Sequence, residues 1–278
     1  MRAGVGVWAA LATVALGSAR TAAVEPPAPS PTPGALTDDR LVFSTNGSRL
    51  TGGIGSGGGS ATWVGNLGSG TVIGGGAEYQ TISNAHWTLG TFSGALAPGL
   101  RTHLYVEGHV GAGDLGDHAF HYSVLVGGLL YQVTSPLSLQ LEERRIDIDT
   151  SHGNLPKLGL SYQVTPKFLA SASYAASVGG NLGTHLGEAR LDYTGSEFSA
   201  IAGIAGGPAA PAVVNFGPRG AVTVAPAPQL REGFLGIGTP LRRTDWLLIG
   251  DFQDVGGTKR FGLSLTCTVH LHSQGRSP

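Results

Sequence analysis

From Leu158 to Val178 the side chains alternate in character with a strict period of two, on both arms of what reads as a hairpin. On the first arm Leu158, Leu160, Tyr162 and Val164 share one face, and Gly159, Ser161 and Gln163 the other. On the second, Phe168, Ala170, Ala172, Tyr174, Ala176 and Val178 oppose Ser171, Ser173 and Ser177. Successive side chains point to opposite faces of a pleated strand, so this pattern argues for sheet and against helix. Thr165-Pro166 breaks the run, because proline has no N–H to give a central ladder. One apolar face with tyrosines towards its ends and one small polar face suit a hairpin with lipid outside and water inside.

The same code recurs along the chain. Leu100, Thr102, Leu104, Val106 and Val110 alternate with Arg101, His103, Tyr105, Glu107 and His109. Gly187, Ala189, Leu191 and Tyr193 alternate with Glu188, Arg190 and Asp192, and Phe261, Leu263, Leu265, Cys267 and Val269 with Gly262, Ser264, Thr266, Thr268 and His270. A charge at every second position must meet water or a partner, since an unpaired charge in lipid is costly. The expected strands are 41–54, 59–66, 70–81, 85–95, 100–111, 118–133, 137–148, 155–164, 167–178, 185–194, 197–206, 230–239, 243–253 and 259–271. In the stretch Leu137 to Ile148, alternation gives way to Glu142-Glu143-Arg144-Arg145, read as a strand leaving the apolar zone through a bulge. Short gaps such as Ala97-Pro98-Gly99 and Ser135-Pro136 alternate with longer links at 112–117, 149–154, 179–184, 207–229 and 255–258. Outer-membrane barrels alternate in this way, with short turns on the periplasmic side and longer loops outside. The longest link, 207–229, reads as a surface loop or an inward-folded constriction.

Soluble alternatives fit less well. A β-sandwich also alternates, but its polar face is normally richer in charge than a chain with 13% charged residues allows. A solenoid needs a fixed repeat, and none is present. The net charge of −1 gives no argument for nucleic acid. Cys267 is the single cysteine, so neither an intrachain disulfide nor a thiolate cluster can form. At the start, Arg2 precedes an apolar run from Ala3 to Leu16 and the small residues Gly17, Ser18 and Ala19, the pattern of an export signal over 1–23. That run is shorter than a spanning helix requires. Residues 24–40 are a Pro-rich linker, 41–272 the barrel and 273–278 a tail.

With these residues laid out, the chain resembles a bacterial outer-membrane β-barrel over roughly 41–272. Within 158–211, the stretches Gly-Leu-Ser-Tyr-Gln-Val-Thr-Pro-Lys, Gly-Gly-Asn-Leu-Gly-Thr and Arg-Leu-Asp-Tyr are similar to the YaiO-like group of such barrels. The resemblance implies a fold, an outer-membrane location, contact with outer-membrane lipid and insertion by the barrel assembly machinery; it implies no substrate. Such barrels usually end on an aromatic residue, whereas this chain continues from His272 to Ser-Gln-Gly-Arg-Ser-Pro278.

Other motifs have bland explanations that outweigh the sharp ones. Gly53-Ile54-Gly55-Ser56-Gly57-Gly58 matches a phosphate-binding glycine pattern, but strand-like Ala61 to Val64 follows where a helix is required, so a glycine loop is expected. His270 and His272 share a strand face without a third metal ligand. Asp147, Asp149, Ser151 and His152 form a loop cluster that would matter only if serine and base came within hydrogen-bond reach. The expectation is an all-β antiparallel barrel of about 14 strands, or 12 if the glycine-rich start lies outside the wall. Its lumen is expected to be lined by Arg101, His103, Tyr105, Glu107, His109, Glu142, Arg144, Glu188, Arg190, Asp192 and Asp251. Eight strands are filled by their own side chains and 16–18 leave a channel. Fourteen implies a narrow or partly plugged pore for polar solutes or a polymer, with no cofactor. A lipid-modifying barrel enzyme and a structural or docking barrel are the alternatives.

Overall fold

The computed structural model describes residues 39–53, 55–68, 70–82, 85–114, 118–148, 151–208, 229–241, 243–255 and 257–271. The expected signal segment, most of the linker, His272 with the tail, Asp149 and the longest link (209–228) lie outside these. The strands are β1 Arg40–Leu50, β2 Gly55–Gly68, β3 Thr71–Ile82, β4 Ala85–Gly99, β5 Thr102–Asp114, β6 Ala119–Gln132 and β7 Leu137–Ile148. They continue with β8 Ser151–Thr165, β9 Phe168–Ala176, β10 His185–Thr194, β11 Ser199–Pro208, β12 Gln229–Leu241, β13 Thr244–Val255 and β14 Thr258–His270. Each pairs antiparallel with its neighbours, and β1 pairs with β14 from Arg40↔His270 to Leu50↔Arg260, which closes a fourteen-strand barrel. Closure leaves no sheet edge to template aggregation.

The chain enters and leaves at one rim, here called terminal, which also carries the turns after β2, β4, β6, β8, β10 and β12. The links after β1, β3, β5, β7, β9, β11 and β13 occupy the opposite, distal rim. The glycine-rich start is part of the wall: Gly55 to Gly58 belong to β2, and the turn is confined to residues before them, with Gly52 and Gly53 at φ 96° and 85°. The chain is therefore in the wall from Arg40. No bulge interrupts β7, whose ladders to β6 and β8 run without a register shift. Its charged run stays extended, with Glu142 and Arg144 facing in and Glu143 and Arg145 facing out. The expected loop at 149–154 is shorter than its composition suggests, because β8 begins at Ser151.

Four of the glycines answer to one device. Phe92 lies directly opposite Gly108, Tyr105 opposite Gly128, Phe120 opposite Gly113 and Phe234 opposite Gly203. In each pair the ring lies where a glycine Cβ would project. A ring laid over the neighbouring strand covers backbone that glycine leaves bare, and helps fix the register.

Outside, the wall carries exposed apolar side chains: Leu158, Leu160, Tyr162, Val164 and Tyr174 of the hairpin, and Leu235, Ile237, Phe261 and Leu263 elsewhere. A soluble barrel would not leave Leu235 67% and Leu263 61% exposed in a continuous band. Inside, the distal half of the lumen holds a packed cluster of Leu50, Trp87, Leu89, Phe120, Tyr122, Val124, Val126, Ile146, Leu155, Ala175 and Leu182.

Candidate pore lumen

The inward face of β5 carries, in order from the terminal rim, His103, Tyr105, Glu107 and His109, with burial rising to His109 at 2% exposed. Arg101 precedes β5 in the turn and is exposed at the rim, so it does not line the wall. His109 is held between two carboxylates. Its Nε2 lies 2.6 Å from Glu107 Oε1 and its Nδ1 3.4 Å from Glu78 Oε2. Both ring nitrogens donate only when the imidazole carries two protons. Glu78, 4% exposed, sits on β3 and reaches His109 across the inner face of β4; it also accepts from Gln80 Nε2 at 3.1 Å. The register makes this reach possible, since Glu78 pairs with Leu89 and Thr91 with His109.

A second bridge spans β5 to β7. The Tyr105 ring crosses Gly128 and its hydroxyl donates to Glu142 Oε2 at 2.8 Å. Gln140 Nε2 donates to the Tyr105 oxygen at 2.8 Å, and Arg144 NH2 lies 3.1 Å from Glu142 Oε1. Arg190 and Asp192 form a two-pronged ion pair along β10, through Arg190 Nε at 2.8 Å and 3.0 Å and through its terminal nitrogen. Arg260 NH2 lies 2.6 Å from Asp251 Oδ2, and Asp251 lies over Gly262, directly opposite on β14. Glu188 is half-buried on the inner face of β10. Charges inside a low-dielectric wall demand such pairing. Arg260 was not singled out from the sequence, although its place two residues before Gly262 on the inner face is readable by parity.

Apart from Arg260, the wall formed by β14, β1 and β2 is rich in hydroxyls. The inner faces of β1, β2 and β14 carry Ser44, Ser48, Ser56, Ser60, Thr62, Ser264, Thr266 and Thr268. Ser44 and Thr266 are hydrogen-bonded at 3.0 Å, and Ser48 and Ser56 at 2.5 Å. The lumen is thus lopsided in bulk, with the large inward rings and aliphatic chains on β3 to β8, while inward ion pairs also stand on β10 and between β13 and β14.

The distal half differs from a purely polar lumen. Trp87 and Leu89 are each 1% exposed, and their ring and chain pack with Phe120, whose ring lies 6.4 Å from Trp87. The link between β9 and β10 folds over this cluster. Gly179, Gly180 and Gly183 take φ values of 67°, 66° and 56°, and the resulting turn drives Leu182 inward to 1% exposure. Asn181 ties the link down, its N–H donating to His152 O at 2.9 Å and its Oδ1 accepting from His152 N at 2.9 Å. Trp87 Nε1 has no hydrogen-bond partner among the described residues.

The rim cluster near Ser151 has no catalytic geometry. Ser151 and His152 are consecutive on β8, so Ser151 points inward and His152 outward. Asp147, on the outward face, pairs instead with His121 Nε2 at 2.8 Å. At the terminal rim His270 Nε2 is hydrogen-bonded to Asp245 Oδ2 at 2.9 Å. Among the described residues no group of three or more His, Cys, Asp or Glu is arranged to hold a metal ion.

No protein-family model and no curated protein matches the sequence, so the likeness to YaiO-like barrels rests on the quoted residues of 158–211 alone. The fold does match solved structures. A CymD monoaromatic hydrocarbon channel superposes with a TM-score of 0.63 at 9% identity, covering 91% of this chain and 94% of that one. A TodX monoaromatic hydrocarbon channel mutant gives 0.58 at 8% identity, with 84% and 91% covered. A Pseudomonas aeruginosa FadL homologue gives 0.58 at 10% identity, with 86% and 93% covered. At such identities the likeness is one of fold, and the fold is that of outer-membrane channels.

Proposed function

We propose that this chain is an outer-membrane channel for small solutes. One observation carries the reading: a closed fourteen-strand wall is apolar outside while its inner face holds ion pairs that need an aqueous or paired setting. In this orientation the terminal rim, with its short turns, faces the periplasm and the distal rim faces outward. Insertion by the barrel assembly machinery and residence in outer-membrane lipid follow from the same reading.

For the solute, the charged band on β5, β7 and β10 favours small polar molecules over long polymers, because its paired side chains narrow the lumen. The apolar distal cluster favours a second reading, in which the solute is small and largely apolar, as it is for the CymD and TodX monoaromatic hydrocarbon channels. The inward Ser151 and outward His152 face opposite sides of the wall, so this pair does not support the enzymatic alternative.

Recording from the refolded protein in planar bilayers tests the channel. Discrete conductance steps are expected, and a membrane-inserted protein that gives none ends the channel reading in favour of a docking barrel. Swelling of vesicles in pentoses, compared with uptake of toluene by the same vesicles, separates the two solute classes.

A further inference from the structure

The distal rim carries an unbalanced row of outward cations. Arg231 on β12, Asp254 on β13 and Lys259 on β14 lie side by side in register, and Arg49 on β1 sits one strand further, opposite Phe261. With strands about 4.8 Å apart, Arg231 and Lys259 stand roughly 10 Å from each other. All three cations are exposed, and none is in an ion pair among the described residues. The carboxylate between them is engaged otherwise: Asp254 Oδ1 accepts from Gly257 N at 2.9 Å and caps the β13–β14 turn.

Elsewhere on this rim, among the described residues, the outward guanidinium is Arg145, which shares its face of β7 with Glu143 and Asp147, the last hydrogen-bonded to His121. Among the described residues the excess of outward Arg and Lys over Asp and Glu therefore lies on β12, β14 and β1. The apolar band ends in two rings, Phe252 and Phe261, with centroids 5.0 Å apart, level with Arg49 and one outward position below Asp254 and Lys259. Aromatic side chains mark the level where acyl chains give way to headgroups. The cations thus stand at headgroup height. Beside Arg49 the outward positions Gly47, Gly55, Gly57 and Gly59 leave the surface flat, since a Cβ at any of them would meet only neighbouring backbone.

We propose that Arg49, Arg231 and Lys259 form a docking site for the phosphates of the outer-leaflet glycolipid, with an acyl chain lying along the flat β1–β2 surface. This rests on the outer-membrane channel reading above. Two arginines favour phosphate, whose oxygens accept paired N–H donors. A headgroup with two phosphates suits cations spaced about 10 Å apart better than a phospholipid with one.

The test uses the full chain refolded into phosphatidylcholine vesicles containing diphosphoryl lipid A, monophosphoryl lipid A or phosphatidylglycerol, followed by detergent extraction and native mass spectrometry. Wild type is expected to retain diphosphoryl lipid A, and the variant Arg49→Gln, Arg231→Gln, Lys259→Gln to retain it about a hundredfold less well, from roughly a fivefold loss per cation removed. Arg145→Gln, on the charge-balanced side, should behave as wild type. Equal retention of phosphatidylglycerol, or an equal loss in Arg145→Gln, overturns the proposal in favour of general charge attraction. Equal retention by the triple variant overturns it outright. Failure of every protein to insert into any vesicle would instead refute the outer-membrane reading beneath it.

Discussion

Leu263→Arg sets the outward face against the inward one. Leu263 is the sixth of the thirteen residues of β14, so it stands about one 3.4 Å step from the middle of the strand. Its side chain is 61% exposed on the outer face, and its cross-strand neighbours are Gly47 on β1 and Gly250 on β13. An arginine there finds no acid to pair with and no large neighbour to lie against, and its nearest outward companions on the strand are Phe261 and Leu265. At mid-bilayer such a substitution costs about 2–4 kcal/mol, a roughly thirty- to several-hundredfold shift in the folding equilibrium.

Thr266→Arg places the same charge three residues along, on the inner face. Thr266 is half-buried and shares one hydrogen bond with Ser44 Oγ at 3.0 Å, so the substitution removes one neutral bond, worth about 0.5–1.5 kcal/mol. Its guanidinium then projects among the serines and threonines of β1 and β2. Urea titrations of refolding into vesicles, followed by heat-modifiable mobility on gels, should separate the two variants by about 1–3 kcal/mol. Equal penalties would show that the inner and outer faces have been assigned wrongly, and with them the whole membrane reading.

Gly128→Leu should displace the Tyr105 ring and break its bond to Glu142, costing about 1–3 kcal/mol by overpacking; Tyr105→Ala in the same chain should recover part of it in a thermal melt, and no recovery would deny the ring's role. His109→Leu leaves Glu78 buried without its partner and should cost about 3–5 kcal/mol, whereas adding Glu78→Gln and Glu107→Gln should restore most of the loss; a single variant as stable as wild type would refute the bridge. Glu107→Gln with Glu188→Gln should shift the reversal potential in a salt gradient towards anion selectivity, because fixed negative charges in a narrow lumen attract cations; an unchanged potential would place both groups off the ion path.

Strand number and facing were legible because lipid outside and charge inside leave a period-two record at every exposed position. The glycine-rich segment Gly55–Gly59 hid part of its strand, since glycine carries no side chain to show a phase; only Trp63 and its neighbours revealed it. The pairing of the lumen charges was not legible. Glu78 meets His109 and Tyr105 meets Glu142 by crossing an intervening strand, which depends on register and on the bare backbone of Gly128. Parity gives the face of a side chain but not its height in the barrel.

Height was nonetheless written into the strands, as a change in which face is apolar. On β4, Trp87 and Leu89 point inward while His86 and Thr88 point outward, yet further along the strand Phe92 and Leu96 are the exposed outward groups. On β6, Phe120, Tyr122 and Val124 are buried inside with His121 and Ser123 outside, and Leu125 and Tyr131 then take the outer face. On β7 the outward apolar residue is Leu141 and the inward one Ile146. A strand that emerges from lipid has water on its outer side, so its apolar residues gain only by turning inward onto one another. On the membrane reading the switch marks the distal edge of the bilayer, and the cluster around Trp87 is the small water-side core that the emerging strands build. On β12 the same switch falls between outward Leu235 and inward Leu230, which leaves outward Arg231 on its wet side. The row from Arg231 to Lys259 lies on the far side of that switch, the level at which the proposed phosphate site would meet its lipid.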